Sequence, residues 1–227
     1  MLLTEPNRIS DVLYFEGGEQ FYYPRDNVTI PNQTTALVVG TVLGISSIGL
    51  APTSAAKAGG NTGTGTLVLD VTAPIQPNAK PGNYVVTVVS TGVFEVVDPK
   101  GVAVGDEGVY TSAGSVTFND QIKFVLTDTS THFVAGDGFV ITVAAGASTM
   151  TPLNVAAEDG SQNAAAVLLT PVAAAAGNVA AAVVDRGPAL LKLNGLVWPA
   201  GFTSTQIAAG IAQLQALGMV TKADFGI

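Results

Sequence analysis

The clearest alternation of apolar and polar positions lies near the carboxyl end of the chain and predicts one amphipathic helix. Thr203 and Gln206 fit a capping box at its start, and Gly218 fits the left-handed residue that commonly ends a helix. Four apolar residues recur at helical spacing along one face: Ile207, Ile211, Leu214 and Leu217. Because that face has to be buried, the helix predicts a packed domain around it.

The apolar segments available to cover this helix are remote from one another in the sequence. They are the strand-like segments on either side of Pro171 and the distant run 37–45, LVVGTVLGI. We therefore predict a discontinuous core domain built from residues 28–58 and 147–227. Residues 59–146 are then an insertion, entered and left through tracts of small residues that are typical of linkers.

Within the insertion the apolar period changes to two, which predicts strands. Six segments of strand length are rich in β-branched residues: 66–72, 83–90, 93–98, 115–120, 122–128 and 139–144. Alternation places ten side chains inward: Leu67, Leu69, Val71, Phe118, Ile122, Phe124, Leu126, Phe139, Ile141 and Val143. This spacing predicts a small antiparallel β-sandwich, and the fold class of the whole chain is mainly β with some α (α+β).

The first 27 residues show no sustained period and are predicted to be an N-terminal arm rather than a domain. Its aromatic and apolar residues include Leu13, Tyr14, Phe15, Phe21, Tyr22 and Tyr23. Aromatic residues on a segment without its own core often bind another surface. The alternative is that the arm folds back onto its own domain.

Charge and composition remove several classes of function. The chain has 17 acidic and 9 basic residues, a formal charge of -8 and no cluster of Lys or Arg, so it is not predicted to bind nucleic acid. The uncharged run 164–184 is long enough to be tested as a membrane span, but it is interrupted by polar residues, proline and glycine, and two strands fit it better. No export signal is recognised at the amino terminus.

The residues that carry chemistry are sparse. There is no cysteine, and the one histidine, His132, lies between two predicted strands, where a solvated loop position fits it better than a general base. The motifs of nucleophilic enzymes, nucleotide-binding loops and metal centres do not occur. The acidic residues of the insertion suit calcium as a minor possibility, but most lie at strand ends, where Asp commonly forms turns. We predict no enzyme activity, no cofactor and no metal.

Three stretches of the sequence resemble the head decoration proteins of lambda-type tailed bacteriophages. They are GTVLG at 40–44, RGPALLKLNGLVWPAG at 186–201 and the closing helix. The segments GNYVVTVVSTGVFEVVDPKGVAVG at 82–105 and HFVAGDGFVITVAAG at 132–146 resemble an extra β-domain that many members carry. The residues taken as core elements of this resemblance are Gly40, Gly44, Trp198, Pro199, Ile207, Ile211 and Leu214.

The resemblance implies a homotrimer on the outer surface of the virion capsid, made in the host cytoplasm, with the major capsid protein as its partner and no membrane or nucleic acid bound. It implies binding at three-fold sites of the assembled, expanded capsid and stabilisation of the shell, with the arm adding a strand to the coat protein. The residues expected to bind the capsid are Leu13, Tyr14, Phe15, Phe21, Tyr22, Tyr23, Val28 and Ile30.

Two other functions fit the same residues. A carbohydrate- or host-surface-binding module carried by the insertion requires exposed aromatic residues on one sheet face or loop end. A structural component of a tail or fibre shares the sandwich and differs in its place on the particle.

Overall fold

The structure is a computed structural model that describes residues 6–17, 24–105 and 108–223. The chain divides into two compact units: unit 1 comprises Met1–Ser46 and Ser148–Ile227, and unit 2 comprises Ser47–Ala147. Strands predominate over one main helix, which confirms the mainly β class.

The elements, in chain order, are α1 (Ile9–Val12), β1 (Leu13–Glu16), β2 (Arg25–Ile30), β3 (Val42–Ile48), β4 (Thr53–Ala56), β5 (Thr66–Leu69), β6 (Gly82–Ser90), β7 (Val93–Val97), β8 (Gly108–Val109), β9 (Ser115–Asn119), β10 (Lys123–Thr127), β11 (Gly138–Val143), β12 (Ala145–Pro152), β13 (Ala164–Leu168), β14 (Val179–Val184), β15 (Ala189–Lys192), the 3-10 turn η1 (Leu193–Gly195), α2 (Ser204–Ala216) and β16 (Met219–Lys222).

Unit 1 contains two sheets. The larger has the strand order β12-β3-β13-β14-β2, and the smaller has the order β1-β15-β16. Successive residues of β13, such as Val167 and Leu168, are both buried, so this strand is covered on both faces and its sequence is apolar throughout. The run 164–184 forms β13 and β14. Among the described residues no helix has the length and apolar character that crossing a membrane requires.

Helix α2 begins and ends as the sequence predicts. The Thr203 hydroxyl accepts from the Gln206 backbone N–H while the Gln206 side chain accepts from the Thr203 N–H, and Gly218 follows with φ +83°. Leu214 is fully buried, but Leu217, predicted on the same face, is 42% exposed. The buried stripe includes Gly210 instead, because the Trp198 ring packs directly against that glycine.

The remote segment 37–45 does contribute to the core around α2. Val39 and Val42 share a buried cluster with Leu214. At Gly40, φ is +94° and an added Cβ would collide with the Gly195 carbonyl oxygen, so this position requires glycine for both conformation and space. Gly44 packs equally closely against the backbone of Ser161.

The described part of the predicted arm is folded into unit 1. Val12 is fully buried and Leu13 is 9% exposed, both within the core that also contains Leu214. Strand β1 pairs with β15, and Arg25–Ile30 forms the edge strand β2 beside β14. The alternative in which the segment folds back onto its own domain is the one that the described residues show, because burial of these side chains offsets the cost of ordering the segment.

Unit 2 contains a five-stranded sheet, β4-β11-β6-β7-β8, and a three-stranded sheet, β5-β10-β9. Side chains from both sheets share one buried cluster, which includes Phe94 and Phe124. Each of the six predicted segments contains a strand. Val71 was predicted to point inward but is 96% exposed, because β5 ends at Leu69.

The boundary of unit 2 lies earlier in the chain than the sequence predicts. The tract of small residues before the insertion, 51–65, is predicted to be a linker, but within it Thr53–Ala56 pairs antiparallel with β11 as strand β4. Their small, uncharged side chains carry little strand signal, and only the partner strand specifies the pairing. The unit therefore begins at Ser47 rather than at 59.

Candidate functional site

The residues predicted to bind the capsid divide by exposure. Leu13 and Ile30 are buried in unit 1, and Val28 packs partly against the core. Tyr14 and Phe15 are 63% and 59% exposed. Phe21, Tyr22 and Tyr23 lie outside the described residues. The binding role of the whole set stays a prediction, and in the folded unit the side chains of Leu13 and Ile30 are not accessible to a partner.

Tyr14 and Phe15 belong to the outer surface of the sheet β1-β15-β16, here called the β15 face. Phe15 pairs with Leu190, and Leu190 pairs with Val220, so the three side chains form one apolar row across the sheet. The β15 face is defined by Tyr14, Phe15, Leu190, Lys192, Val220 and Lys222. The opposite face is closed, since Leu191 and Met219 are fully buried. Alternation along the strands thus separates a core face from a face that retains apolar groups at the surface.

An apolar groove of about 280 Å³ runs along this face. Its walls are Phe15, Pro188, Ala189, Leu190, Gly218, Val220 and Lys222. Two backbone hydrogen bonds fix its base: Gly187 N–H donates to the Leu217 carbonyl at 2.8 Å, and Gly17 N–H donates to the Pro188 carbonyl at 2.9 Å. Gly187 also packs against the Gly218 backbone too closely for any side chain. The groove is therefore a preformed feature of the fold.

Two lysines, Lys192 and Lys222, lie on the β15 face. The Lys192 ammonium lies 5.9 Å from the centre of the Tyr14 ring, within the range of a cation–π contact. Lys222 is exposed at the rim of the groove. At the end of β1, the Glu16 carboxylate is paired with the Arg25 guanidinium at 2.7 Å. The face thus combines apolar groups with two ammonium groups, although the formal charge of the chain is -8.

His132 lies in the loop after β10, and its side chain is 44% exposed, in agreement with a solvated loop position. The sequence did not indicate its partner, Asp128, whose Oδ2 lies 2.7 Å from His132 Nδ1. The same carboxylate accepts from the backbone N–H groups of Phe133 and Ala113. Because Asp128 is engaged by backbone donors from two loops, the pair holds those loops together.

Like Asp128, three more aspartates of unit 2 accept hydrogen bonds from backbone N–H groups of the loops. This role explains why acidic residues lie at the ends of its strands. Asp70 accepts from the N–H groups of Thr72 and Ala73. Asp98 is paired with Lys80 and accepts from two further backbone N–H groups. Asp137 is 1% exposed and accepts from three. Among the described residues, no group of three or more acidic or histidine side chains is placed to hold a metal ion.

These contacts lower the pKa values of the carboxyl groups of Asp70, Asp98 and Asp137. The hydrogen bond and charge of Lys80, with the Val102 N–H, lower the pKa of Asp98 to about 2. The Ala73 N–H and the Lys123 ammonium lower the pKa of Asp70 to about 2. Burial opposes ionisation of Asp137, but its three N–H donors outweigh it, so its pKa also lies below the ordinary value. Each group stabilises the fold in its charged form.

We expect acid to destabilise unit 2. Because the folded-state pKa values are depressed, the stabilisation is complete above the unfolded pKa of about 4 and is lost as the pH falls toward about 2. Hydrogen–deuterium exchange measured from pH 6 down to 2, after correction for the intrinsic rate at each pH, should show falling protection in β5, β6 and β10. Unchanged protection down to pH 2 would contradict this expectation.

The fold is that of a mainly β protein without a group of residues arranged for catalysis among those described, and its β15 face keeps apolar side chains at the surface. The family described as Bacteriophage lambda head decoration protein D matches residues 2–219, and the chain belongs to this family. The family is structural, which supports a role in decorating the phage capsid and a place on the exterior of the head.

Other comparisons add little. A search of the curated proteins finds no match. Two crystal structures of FlgL from Xanthomonas campestris, in different space groups, share 21% and 20% sequence identity with this chain, with a TM-score of 0.31 each. Each alignment covers 48% of this chain and 33% of the FlgL chain.

Proposed function

We propose that the protein binds the assembled, expanded capsid at its three-fold sites as a homotrimer and stabilises the shell against disassembly without catalysing a reaction. Membership of the head decoration family is the observation that carries this proposal. A protein that binds only the assembled lattice stabilises it by mass action, and three linked copies raise the effective concentration at the second and third contacts. The partner in this proposal is the major capsid protein.

The core of this proposal is unit 1, and unit 2 is an antiparallel β-sandwich inserted into it. Two sheets that share one apolar cluster support the sandwich description. Of the four other predicted core elements, Trp198 packs against the cluster that contains Leu214, whereas Pro199, Ile207 and Ile211 are half-buried and lie outside the buried clusters.

The carbohydrate-binding alternative is disfavoured by the aromatic residues of unit 2. All of them are buried, with exposed fractions of 7% or less: Tyr84, Phe94, Tyr110, Phe118, Phe124, Phe133 and Phe139. Sugar rings stack on exposed aromatic faces, which the described part of unit 2 does not offer.

The proposal is tested by adding the purified protein to expanded shells that lack it. We expect binding to saturate at one trimer per three-fold site, cryo-electron microscopy to place the density there, and the melting temperature of the shells to rise. Unexpanded shells are the matched control and should bind poorly. Density on the tail, or no density on the shell, would contradict the proposal and favour the tail or fibre alternative.

We expect the double substitution Tyr14→Ser with Phe15→Ser to weaken shell binding by at least about tenfold, because exposed aromatic residues commonly dominate interface energy. Deleting residues 1–27 is a poor test, since it also removes the buried Val12 and part of β2. The control is Val109→Ser in unit 2, which changes a residue that is 68% exposed. Sedimentation with shells measures both variants; equal affinity for the double variant and the wild type would remove Tyr14 and Phe15 from the interface.

A further inference from the structure

We propose that the Asp185 carboxyl group is a pH-sensitive switch in unit 1, which favours the folded unit when protonated and weakens the junction of β2 with β14 when ionised. Asp185 directly follows β14, and its backbone N–H donates to the carbonyl of Pro24, the residue before β2, at 3.1 Å. The inference concerns the stability of unit 1 and holds whether or not the protein binds a capsid.

The two oxygens of the Asp185 carboxyl group have different surroundings. Oδ2 lies 3.2 Å from the Arg186 guanidinium, whereas Oδ1 is buried and has no hydrogen-bond partner among the described residues. The side chain as a whole is 17% exposed. An ionised carboxylate has acceptor sites on both oxygens, so a buried oxygen without a donor opposes ionisation. The neutral acid suits this position better, because burial disfavours the charged form.

A second carboxylate, on the neighbouring strand β2, also opposes the ionisation of Asp185. Asp26 and Asp185 contact the same guanidinium, that of Arg186, at 3.4 Å and 3.2 Å. Arg25, the neighbour of Asp26 on β2, is paired with Glu16 at 2.7 Å. When Asp185 ionises, two negative charges therefore face each other across the junction of β2 with β14, and they repel each other.

These surroundings set the direction of the pKa shift. Burial raises the pKa of Asp185, attraction to Arg186 partly offsets this, and repulsion by Asp26 adds to it. Asp159 of unit 1 provides the contrast. Burial opposes its ionisation too, but the hydroxyl and the backbone N–H of Ser161 both donate to its Oδ1, and its pKa is lowered. Hydrogen-bond donors are thus what distinguishes Asp159 from Asp185.

The raised pKa determines how the stability of unit 1 depends on pH at this position. A carboxyl group whose folded-state pKa exceeds its unfolded value of about 4 costs nothing below that value, and it destabilises the fold as the pH rises through the folded-state pKa. Asp70 and Asp98 of unit 2 act in the opposite direction, since their pKa values are lowered. As the pH falls from 7 to about 4, the penalty at Asp185 should disappear before most of the unit 2 contacts are lost.

The direct test is the titration of Asp185 in the full-length protein. Carbon-13 NMR of its side-chain carboxyl carbon, assigned through Cβ and by comparison with Asp185→Asn, follows the protonation of this group alone. We expect a midpoint above about 4, the value of an unperturbed Asp, and a lower midpoint in Asp26→Asn, which removes the repelling charge. A midpoint at or below about 4 in the wild type overturns the inference.

The second test measures stability against pH. Asp185→Asn imitates the neutral acid, so it should raise the melting temperature of unit 1 by about 2 °C or more at pH 7, and the gain should vanish as the pH falls to about 4. Fluorescence reports unit 1, because Trp198, the one tryptophan of the chain, lies in it. The comparison of variant with wild type at each pH cancels the titration of Asp159.

The control for this test is Asp26→Asn, whose side chain is 52% exposed. It removes a contact with Arg186 and a repulsion together, and should change the melting temperature by less than about 1 °C at pH 7. No gain from Asp185→Asn at pH 7, or an equal gain at both pH values, overturns the switch. If Asp185→Asn does not fold, the wild-type titration alone decides the question, and none of these outcomes bears on capsid binding.

Discussion

Leu214→Ala should lower the free energy of unfolding by about 2–5 kcal/mol, the range for removing most of a fully buried leucine side chain. Leu214 is 0% exposed and lies in the cluster that joins α2 to β1, β3 and β15. Of these strands, β3 and β15 are hydrogen-bonded to a neighbouring strand on each side, so their backbones cannot readily move into the space. Denaturant unfolding followed by circular dichroism measures the loss.

The same helix supplies a matched control for this substitution. Leu217→Ala removes the same atoms one turn away, where the side chain is 42% exposed. We expect it to cost less than about 1 kcal/mol, because most of the removed surface is already hydrated. Equal losses for the two variants would mean that α2 buries a different face from the one described. Hydrogen exchange should show the effect of Leu214→Ala in unit 1 and leave unit 2 protected.

Asp137→Ala should destabilise unit 2 by about 3 kcal/mol, through loss of three charge-assisted hydrogen bonds. Its carboxylate accepts from Thr62, Gly63 and Val134 at 2.9–3.1 Å, and the Gly63 bond is buried. Without the carboxylate, the segment before β5 loses its attachment to the turn before β11. Loss of protection in β4 and β5 by hydrogen exchange measures this effect.

Two companion variants make the Asp137 result specific. Asp120→Ala removes an exposed carboxylate from the same unit and should change stability by less than about 0.5 kcal/mol. Asp137→Asn keeps an oxygen acceptor and should recover part of the loss. If Asp137→Ala were as stable as Asp120→Ala, the carboxylate would not hold these loops in solution.

Elements that depend on a few adjacent residues could be predicted from local sequence patterns. The capping box, the glycine stop of α2 and the strands of unit 2 follow from short-range backbone and alternation rules. Strand β4 was not predicted, because its four small residues form a strand only by pairing with β11. The contact between His132 and Asp128 was not predicted either, because no local sequence pattern shows which side chains of a loop will meet.

The sequence by itself determined the class of the chain, the capped helix α2, the split core and, through family membership, a role on a phage head. Only the tertiary structure decided that part of the supposed arm is core, and that Phe15, Leu190 and Val220 share one groove. Alternation along a strand shows that neighbouring residues face opposite ways, but which face is buried depends on the strands that pair beside it. That pairing joins residues far apart in the chain, and no local pattern records it.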